Sequence, residues 1–264
     1  MPELPEVETT VRALQEEVLK KTFVDIWTER NLERLDLLKG DRIEAIERKG
    51  KNIVFFLKSG RTLLVHLRMT GYLLLGAGLL RKRKESFLRV ILFLDDERQL
   101  ALSDARRFAK ISLLSPEEIE ELEKRLGPDP LSIEKEEFFS RIEGRKGAVK
   151  ILLMDQSFLA GIGNIYAVEI LFKAKVHPTR KANSLSDEEK EKIFFKMKEV
   201  LRRAISLKGD STSDFRLLDG RKGGYQNEHL VYRREGLLCP DCQTSIKRSA
   251  IGNRGTYYCP YCQK

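Results

Sequence analysis

Two Cys-x-x-Cys pairs near the carboxyl end place the strongest constraint on how this chain can fold. The pairs are Cys239–Cys242 and Cys259–Cys262, they lie 16 residues apart, and they contain all 4 cysteines of the sequence. Four thiolates on two tight turns can surround zinc as a tetrahedron, and such a closed site leaves no coordination position for a substrate. Disulfide bonding is the alternative, but two short pairs alone are more typical of a metal site. The sequence therefore predicts one structural Zn²⁺ that stabilises a C-terminal zinc finger.

The segment between the two pairs is polar and basic. It carries Lys247, Arg248 and Arg254, and no acidic residue follows Asp241. Small, polar and basic residues on a metal-bound hairpin suit contact with phosphate groups. A solvated turn with incidental charge explains this segment equally well, so both interpretations stay open at this point.

The charge balance favours a polyanionic partner. The 264 residues include 49 Lys and Arg against 40 Asp and Glu, a net charge of +9, which points to nucleic acid first and an anionic membrane surface second. No apolar run approaches the roughly 20 residues that span a bilayer, so no membrane partner is expected. The N-terminus lacks the basic and apolar regions of a signal peptide. We therefore expect a cytoplasmic protein.

The first half of the chain predicts one helix followed by β structure. Residues 6–20 place Val7, Val11, Leu14 and Val18 at helical spacing. Residues 43–112 contain two hairpin signals, in which short apolar strands flank polar turns. These features predict antiparallel sheets that pack as a sandwich or a flattened barrel.

The second half is predicted to be mainly helical. A Gly-Pro-Asp-Pro breaker follows a short acidic helix and marks a boundary near 127–131. The last predicted helix is capped by Ser186. Residues 209–228 are rich in Gly, Ser and Asp and are interpreted as a long functional or mobile loop. The predicted domains are residues 1–127, residues 131–228 including this loop, and residues 229–264.

Three local motifs have both a functional and a structural interpretation. Gly161 and Gly163 permit a tight turn after which Asn164 can cap a helix, and a helix N-terminus can bind phosphate. The loops that carry Met69, Arg106 and Phe108 follow strands, and such side chains can unstack bases. Taken singly, each motif is more often explained by an ordinary helix connection, core packing or surface charge.

The N-terminal proline is a candidate nucleophile. Removal of Met1 would leave Pro2 with a free secondary amine, and an α-amino group has a pKa of about 7.7–8.0, well below that of lysine. An amine that is unprotonated near neutral pH can form a Schiff base, and Glu3 and Glu6 are close enough in sequence to transfer protons. The alternative is a processed terminus in which routine acidic residues begin a helix.

Three longer motifs together resemble the bacterial formamidopyrimidine-DNA glycosylase family. They are PELPEVE at the start, LAGIGNIYAVE in the middle and GNRGTYYCPYCQ at the end, so the resemblance covers the whole chain in order. It implies an α+β multidomain fold. The expected parts are an N-terminal antiparallel β-sandwich with an N-terminal helix, a helix–two-turns–helix domain and a zinc finger. It also implies a monomer that binds damaged double-stranded DNA between its two halves, in the bacterial cytoplasm near the nucleoid.

The resemblance assigns catalytic roles to five residues. Pro2 matches the nucleophile that attacks the sugar, and Glu3 matches the adjacent proton donor and acceptor. Glu6 matches a supporting acid, and Lys51 the lysine of β-elimination. Arg254 matches an arginine that grips phosphate and is associated with δ-elimination. No metal is expected at the reaction centre, because the imine itself withdraws electrons.

The resemblance also assigns DNA contacts. Met69, Arg106 and Phe108 match the residues that fill the void left by a flipped base. Asn164 and Arg254 match residues that hold the phosphates beside the lesion. Further predicted contacts come from Arg145, Lys150 and Tyr232, although Tyr232 is also explained as a core residue. The cysteines match the zinc ligands.

Substrate preference is expected to be for 8-oxoguanine and ring-opened purines. The Met69, Arg106 and Phe108 set and the 209–228 loop both fit that branch of the family. The alternatives are an endonuclease VIII-like enzyme acting on oxidised pyrimidines and a non-catalytic protein that binds damaged DNA. Phe87 stands where many relatives have a DNA-contacting histidine, and the basic run at 81–84 is expected to supply charge there.

Overall fold

The computed structural model describes residues 1–30, 32, 34–82 and 87–264, without the side chain of residue 82. Within these residues the chain forms two compact units. The first unit comprises Met1–Lys124 and Leu207–Gln226, and the second comprises Arg125–Ser206 and Asn227–Lys264. Of the predicted basic run at 81–84, Arg83 and Lys84 lie outside the described residues.

The first unit contains two four-stranded antiparallel sheets. One sheet has the strand order β1-β6-β7-β5 and the other has the order β2-β3-β4-β8. The elements of this part of the chain are α1 (Leu4–Val18), β1 (Phe23–Thr28), β2 (Ile43–Lys49), β3 (Asn52–Leu57), β4 (Thr62–His66), β5 (Tyr72–Gly76), β6 (Leu88–Leu94), β7 (Gln99–Ser103), β8 (Lys110–Leu114) and α2 (Pro116–Arg125). Both predicted hairpins are confirmed, as β3 pairs with β4 and β6 pairs with β7.

The two sheets share one apolar core, which makes this unit a sandwich. Ile53 and Phe55 of β3 contribute to the same buried cluster as Leu92 of β6 and Leu102 of β7. Alternating apolar residues produce this arrangement, because successive side chains of a strand point to opposite faces. β1 lies outside the predicted β region, since Phe23 is its only buried residue and its sequence gives little signal.

Helix α1 packs on the sandwich through the apolar face that its sequence predicts. Val7, Val11, Leu14 and Val18 are all buried in the core of the first unit. On the polar side, Gln15 donates a hydrogen bond of 2.6 Å to the carbonyl of Ile46 in β2. The start of the chain is therefore held firmly against the sheet.

The 209–228 loop belongs to the first unit as far as Gln226, whereas the sequence analysis grouped it with the helices. Leu218 is buried in the core of the sandwich, and its carbonyl accepts a hydrogen bond of 2.8 Å from Leu75 of β5. Gly224 donates 2.7 Å to the carbonyl of Leu207, which closes the neck of the loop. The loop is packed onto the sheet, and apolar burial of Leu218 is the physical reason.

The second unit is helical and ends in a β-hairpin. Its elements are α3 (Lys135–Ile142), α4 (Val149–Met154), α5 (Asn164–Ala174), α6 (Asp187–Ser206), β9 (Lys247–Ile251) and β10 (Arg254–Tyr258). The predicted cap of α6 is confirmed, because Ser186 Oγ accepts the Glu189 N–H and the Glu189 carboxylate accepts the Ser186 N–H. Among the described helices, none is long and apolar enough to cross a membrane.

Candidate functional site

The N-terminus is fixed by a reciprocal cap at the start of α1. Residues 2–6 are buried, and Glu3 and Glu6 are 2 % and 1 % exposed. The Glu3 N–H donates 2.7 Å to Glu6 Oε2, and the Glu3 carboxylate accepts the backbone N–H of Glu6. This capping box satisfies donors that a helix start would otherwise leave unpaired. Met1 precedes Pro2 in the chain, so the predicted amine forms only when Met1 is removed.

The second oxygen of the Glu6 carboxylate holds the 209–228 loop. Glu6 Oε1 accepts a hydrogen bond of 2.7 Å from the backbone N–H of Asp210. Gly209, at φ +79°, lies so close that an added Cβ would be 2.8 Å from Glu6 Oε1 and 3.2 Å from Glu6 Cα. The Glu6 carboxylate therefore connects Glu3, which follows Pro2, to the 209–228 loop. Only glycine fits at position 209.

Lys51 occupies a hairpin turn between β2 and β3, one residue before β3 begins. Gly50, at φ +60°, supplies the conformation that a two-residue hairpin turn requires at its first position. Lys51 is 9 % exposed. Burial, together with the positive charges of Arg68 and Lys51, lowers the pKa of the nearby His66 to about 4. The imidazole is therefore neutral at pH 7, and its Nδ1 accepts the Arg68 N–H at 3.0 Å.

Two loops of the first unit are joined by Asp104, which the sequence analysis did not single out. Asp104 is fully buried and accepts hydrogen bonds from Thr70 Oγ1, from the Arg106 N–H at 3.1 Å and from the Ala109 N–H at 2.6 Å. Its position between a strand and the Arg-Arg-Phe sequence is the signal that could have identified it. This carboxylate fixes the 104–109 loop against the loop that carries Met69.

The same two loops bring the three predicted void-filling side chains together. Arg106 Nη1 lies 3.9 Å from the sulfur of Met69, and the Arg106 guanidinium lies 4.7 Å from the ring centre of Phe108. Met69 and Phe108 are 38 % and 46 % exposed, although large apolar side chains usually favour burial. The first unit therefore presents an adjacent thioether, guanidinium and phenyl ring to solvent.

In the second unit, a tight turn determines where Arg254 lies. Gly252 and Asn253 form the turn between β9 and β10, with φ values of +58° and +56°. Two consecutive positive φ values are typical of a type I′ turn, whose twist matches that of the two strands. Arg254 is the first residue of β10, and its side chain is exposed.

Asn164 is not the cap of α5, which corrects the prediction. Gly163 occupies the cap position and Asn164 is the first residue of the helix. The Asn164 amide instead donates 3.0 Å to the carbonyl of Gly255 in β10. The hairpin of β9 and β10 lies beside the N-terminus of α5, so the Asn164 side chain bonds to the hairpin and not to its own helix. This contact brings Asn164 close to Arg254, as both belong to one compact part of the second unit.

Lys150 does not lie on the surface, in contrast to its predicted role as a DNA contact. It is 0 % exposed, and its Nζ donates 2.8 Å to Thr256 Oγ1 of β10, which is also fully buried. A buried ammonium needs hydrogen-bond partners, and the hairpin supplies one. Arg145 and Phe87 are exposed, and Phe87 is the first described residue after the gap at 83–86.

Glu169 was not identified from the sequence and organises the segment before the finger. This fully buried carboxylate of α5 accepts the backbone N–H groups of Leu230, Val231 and Tyr232 at 2.9, 3.0 and 2.8 Å. An acid within the otherwise apolar run at 165–172 was the available signal in the sequence. Tyr232 is half-buried, and its ring packs 5.4 Å from that of Tyr257.

The four cysteines converge as the sequence predicts. Their sulfur atoms all lie within 4.8 Å of one another, with Cys239 and Cys262 sulfurs 3.9 Å apart and those of Cys242 and Cys259 3.4 Å apart. Thiolates about 2.3 Å from a central zinc would be separated by about 3.8 Å in a tetrahedron. The donor set can therefore hold one metal ion.

Two family models match most of the chain. Residues 1–111 match the formamidopyrimidine-DNA glycosylase N-terminal domain, and residues 126–216 match the formamidopyrimidine-DNA glycosylase H2TH domain. The chain is also similar over its full length to curated relatives. It is 38 % identical to a Desulforamulus reducens formamidopyrimidine-DNA glycosylase, with 100 % of this chain and 99 % of the relative covered. The Thermus thermophilus relative is 40 % identical, with 100 % and 98 % covered.

Solved structures share the fold. The crystal structure of the MutM (Fpg) protein from Thermus thermophilus matches at TM-score 0.89 and 39 % identity, covering 99 % of this chain and 98 % of that one. A complex of Lactococcus lactis Fpg with abasic-site DNA matches at TM-score 0.90 and 31 % identity, covering 99 % of each chain. A Lactococcus lactis Fpg variant bound to Fapy-dG DNA matches at TM-score 0.91 and 31 % identity, covering all of both chains.

Proposed function

This chain belongs to the formamidopyrimidine-DNA glycosylase family and is a DNA glycosylase, and we propose that it excises oxidised purines from duplex DNA through an imine at Pro2. The observation that carries the proposal is the capped N-terminus, where Pro2 directly precedes a buried pair of acids. The expected substrates are 8-oxoguanine and formamidopyrimidines in duplex DNA.

The proposed reaction begins when removal of Met1 frees the Pro2 nitrogen. This secondary amine attacks C1′ of the damaged nucleotide, the C1′–N bond to the base breaks, and the base leaves with a proton supplied by an acid, which we assign to Glu3. The sugar ring then opens: the Glu3 carboxylate takes the proton of the Pro2 nitrogen and passes it to O4′, the C1′–O4′ bond breaks, and the nitrogen lone pair forms the C1′=N bond of an iminium. The resulting iminium withdraws electrons, so that loss of a C2′ proton expels the 3′ phosphate. A second elimination then expels the 5′ phosphate. We place Lys51 in the first elimination and Arg254 in the second.

The target base lies inside a duplex, so the enzyme must turn it out before the amine can reach the sugar. We propose that Met69, Arg106 and Phe108 enter the space that the base leaves, and that Arg106 faces the unpaired partner base. Their mutual contacts and their exposure support this role. Apolar side chains inserted between base steps are a known means of distorting DNA.

The second unit is proposed to hold phosphates beside the lesion. Arg254 is exposed on the finger hairpin, and Asn164 reaches the next residue of the same strand. Arg145 and Tyr232 are proposed as additional contacts. Lys150 is proposed to support the hairpin and not to contact DNA, because its side chain is fully buried and its Nζ bonds to Thr256 of β10. A net charge of +9 favours binding to the phosphate backbone.

We propose that the metal held by the four cysteines is zinc. Four sulfur donors in a closed set fit Zn²⁺, which would supply structural stability to the finger without an open position for chemistry. Metal analysis of the purified protein should give one zinc per chain. Replacement of Cys242 with serine should lower this content and destabilise the segment that presents Arg254.

The lesion class is proposed from the set of Met69, Arg106 and Phe108 and from the 209–228 loop, the two features that indicated it in the sequence. The 209–228 loop is packed beside Glu6 and the N-terminus, a suitable place to cover an extruded purine. Cleavage of 8-oxoguanine:C duplexes should therefore exceed cleavage of thymine glycol or dihydrouracil duplexes. The reverse order would indicate an enzyme specific for oxidised pyrimidines. We further propose that the protein acts as a monomer in the bacterial cytoplasm.

Borohydride trapping tests the proposed chemistry directly. Protein whose mature N-terminal mass shows loss of Met1 is incubated with 8-oxoguanine duplex and reductant. A covalent protein–DNA adduct is expected for the wild type and is expected to fall sharply in Pro2→Gly, whose primary amine is a weaker nucleophile than the secondary amine of proline. Circular dichroism and metal content of the variant establish that it is folded. A processed wild-type protein that binds the duplex but forms no adduct would instead be a non-catalytic damage-binding protein.

A further inference from the structure

The first unit contains a cavity of about 260 Å³ that has no part in the proposed excision reaction. Its inner walls include Val90 of β6, Leu102 of β7 and Ile111 of β8, so it lies between the two sheets of the sandwich. The same three residues line a smaller void of about 10 Å³ deeper in the core. The sandwich is therefore incompletely filled here, although protein interiors are normally close-packed.

Among the described residues that line the cavity, Arg30, Arg107 and Lys110 are exposed and form a basic mouth. With Arg89 and the carboxylates of Glu29 and Asp104, the described lining carries an excess of two positive charges. The Asp104 carboxylate already accepts the backbone N–H groups of its own loop. Anions are therefore favoured over cations at this opening.

Glu29 shows how an anion can be held there. Its two oxygens each lie 2.7 Å from Arg89 Nη1, and Oε1 lies 2.8 Å from Arg107 Nη2. The Glu29 and Arg107 side chains are 29 % and 50 % exposed. Because the ion pair between Glu29 and the exposed Arg107 contributes little free energy, a second carboxylate can join Glu29 at Arg107 at small cost, while the pair with Arg89, which is 17 % exposed, is retained.

We propose that this cavity is a binding site for a small anion with an apolar body. The apolar part would lie against Val90, Leu102 and Ile111, and the anionic group would lie against Arg107 and Arg89. An apolar cavity of about 150 Å³ is enough for benzene, so about 260 Å³ admits a two-ring aromatic or a short acyl chain. Apolar walls with a few placed charges are the usual features of small-molecule sites.

The site is linked to the proposed DNA contacts. Arg107, at φ +60°, lies between Arg106 and Phe108 in the loop that Asp104 holds, and Ala109 of that loop also lines the cavity. A ligand that draws Arg107 away from Glu29 changes the position of its two neighbours. This consequence rests on the proposed function, and it predicts that occupancy weakens binding to duplex DNA.

Calorimetric titration of the full chain with 2-naphthoate and, separately, with octanoate tests the site and distinguishes aromatic from acyl ligands. At least one should bind saturably with one site per chain. The neutral analogue 2-naphthalenemethanol or 1-octanol should bind at least tenfold more weakly. Non-saturating heats for both anions would overturn the proposal.

Two variants locate the binding. Leu102→Phe fills the cavity and should abolish binding, while Arg30→Glu reverses one charge at the mouth and should weaken it at least fivefold. Lys58→Glu, an equal charge change at an exposed position that does not line the cavity, serves as the matched control. Arg30 is on the surface, so that variant stays informative if Leu102→Phe fails to fold. Equal affinity in Arg30→Glu and Lys58→Glu would place the ligand elsewhere and refute the site.

DNA binding is measured separately, on an 8-oxoguanine duplex with and without saturating anion at constant ionic strength. A decrease of at least threefold is expected for the wild type and none for Leu102→Phe. If the protein binds no damaged duplex at all, the proposed function fails while the calorimetric result for the cavity stands.

Discussion

The carboxylate of Glu6 accepts the backbone N–H of Asp210 at 2.7 Å, across 204 residues of sequence. Its other oxygen accepts the Glu3 N–H at the same distance. The geometry beside Pro2 and the position of the 209–228 loop are therefore set by one buried side chain. Movement of the loop should therefore affect the site in which the proposed chemistry takes place.

Replacement of Glu6 by glutamine should release the loop. An amide has one acceptor oxygen, so its NH2 group must face one of the two N–H donors, at a cost of about 1–3 kcal/mol. We expect hydrogen exchange of the Asp210 amide to accelerate at least tenfold and the rate of borohydride trapping to fall. Glu16→Gln, on the exposed face of the same helix, is the control. Unchanged exchange at Asp210 would show that the carboxylate does not hold the loop.

The two adjacent glycines at the neck of the loop should differ in their tolerance of alanine. A Cβ on Gly223 would lie 2.3 Å from the Gly209 carbonyl oxygen and 2.4 Å from that of Lys208, whereas on Gly224 the nearest atom would be 3.4 Å away. Backbone atoms cannot move aside cheaply, so Gly223→Ala should cost about 1–3 kcal/mol of unfolding free energy. Gly224→Ala should cost less than about 0.5 kcal/mol. Denaturant unfolding of the two variants compares them, and equal stability would contradict the close approach.

Glu169 should be essential for the stability of the second unit. Its carboxylate is fully buried and accepts three backbone N–H groups, and glutamine would lose the charge and one acceptor. We expect Glu169→Gln to cost about 2–4 kcal/mol. Thermal unfolding and metal retention are the measurements, with the exposed Glu188→Gln as control. If both variants unfold at the same temperature as the wild type, the segment before the finger does not depend on this contact.

His66 should make the protein less stable in mild acid. Its pKa is about 4 in the folded chain and about 6.5 when unfolded, so between these values the unfolded chain binds more protons and stability falls as pH falls. Arg68, Lys51 and Lys110 are the charged groups that oppose protonation in the fold. Between about pH 7.5 and pH 5, the wild type should lose about 2 kcal/mol more than His66→Gln. Urea unfolding at both pH values gives the difference, and equal losses would refute the assignment.

Local patterns in the sequence were sufficient for the elements that depend on neighbouring residues. The spacing of Val7, Val11, Leu14 and Val18 predicted the buried face of α1, and Ser186 followed by Glu189 predicted the start of α6. The two hairpins and the convergence of the four cysteines were predicted for the same reason. In each case the determining interactions join residues that are close in sequence or follow a fixed period.

Packing between segments that are distant in sequence determined the side-chain contacts that local patterns did not predict. Asn164 was predicted as a cap because its sequence position suits one, yet the neighbouring hairpin engages its amide. Lys150 was predicted to contact DNA from the family resemblance, yet Thr256, 106 residues away, accepts a hydrogen bond from its buried ammonium. Short-range patterns were therefore enough to predict the main helices, the two hairpins and the convergence of the four cysteines. Packing between distant segments selected which polar side chains serve the interior, because each buried donor or acceptor must find a partner that sequence proximity does not specify.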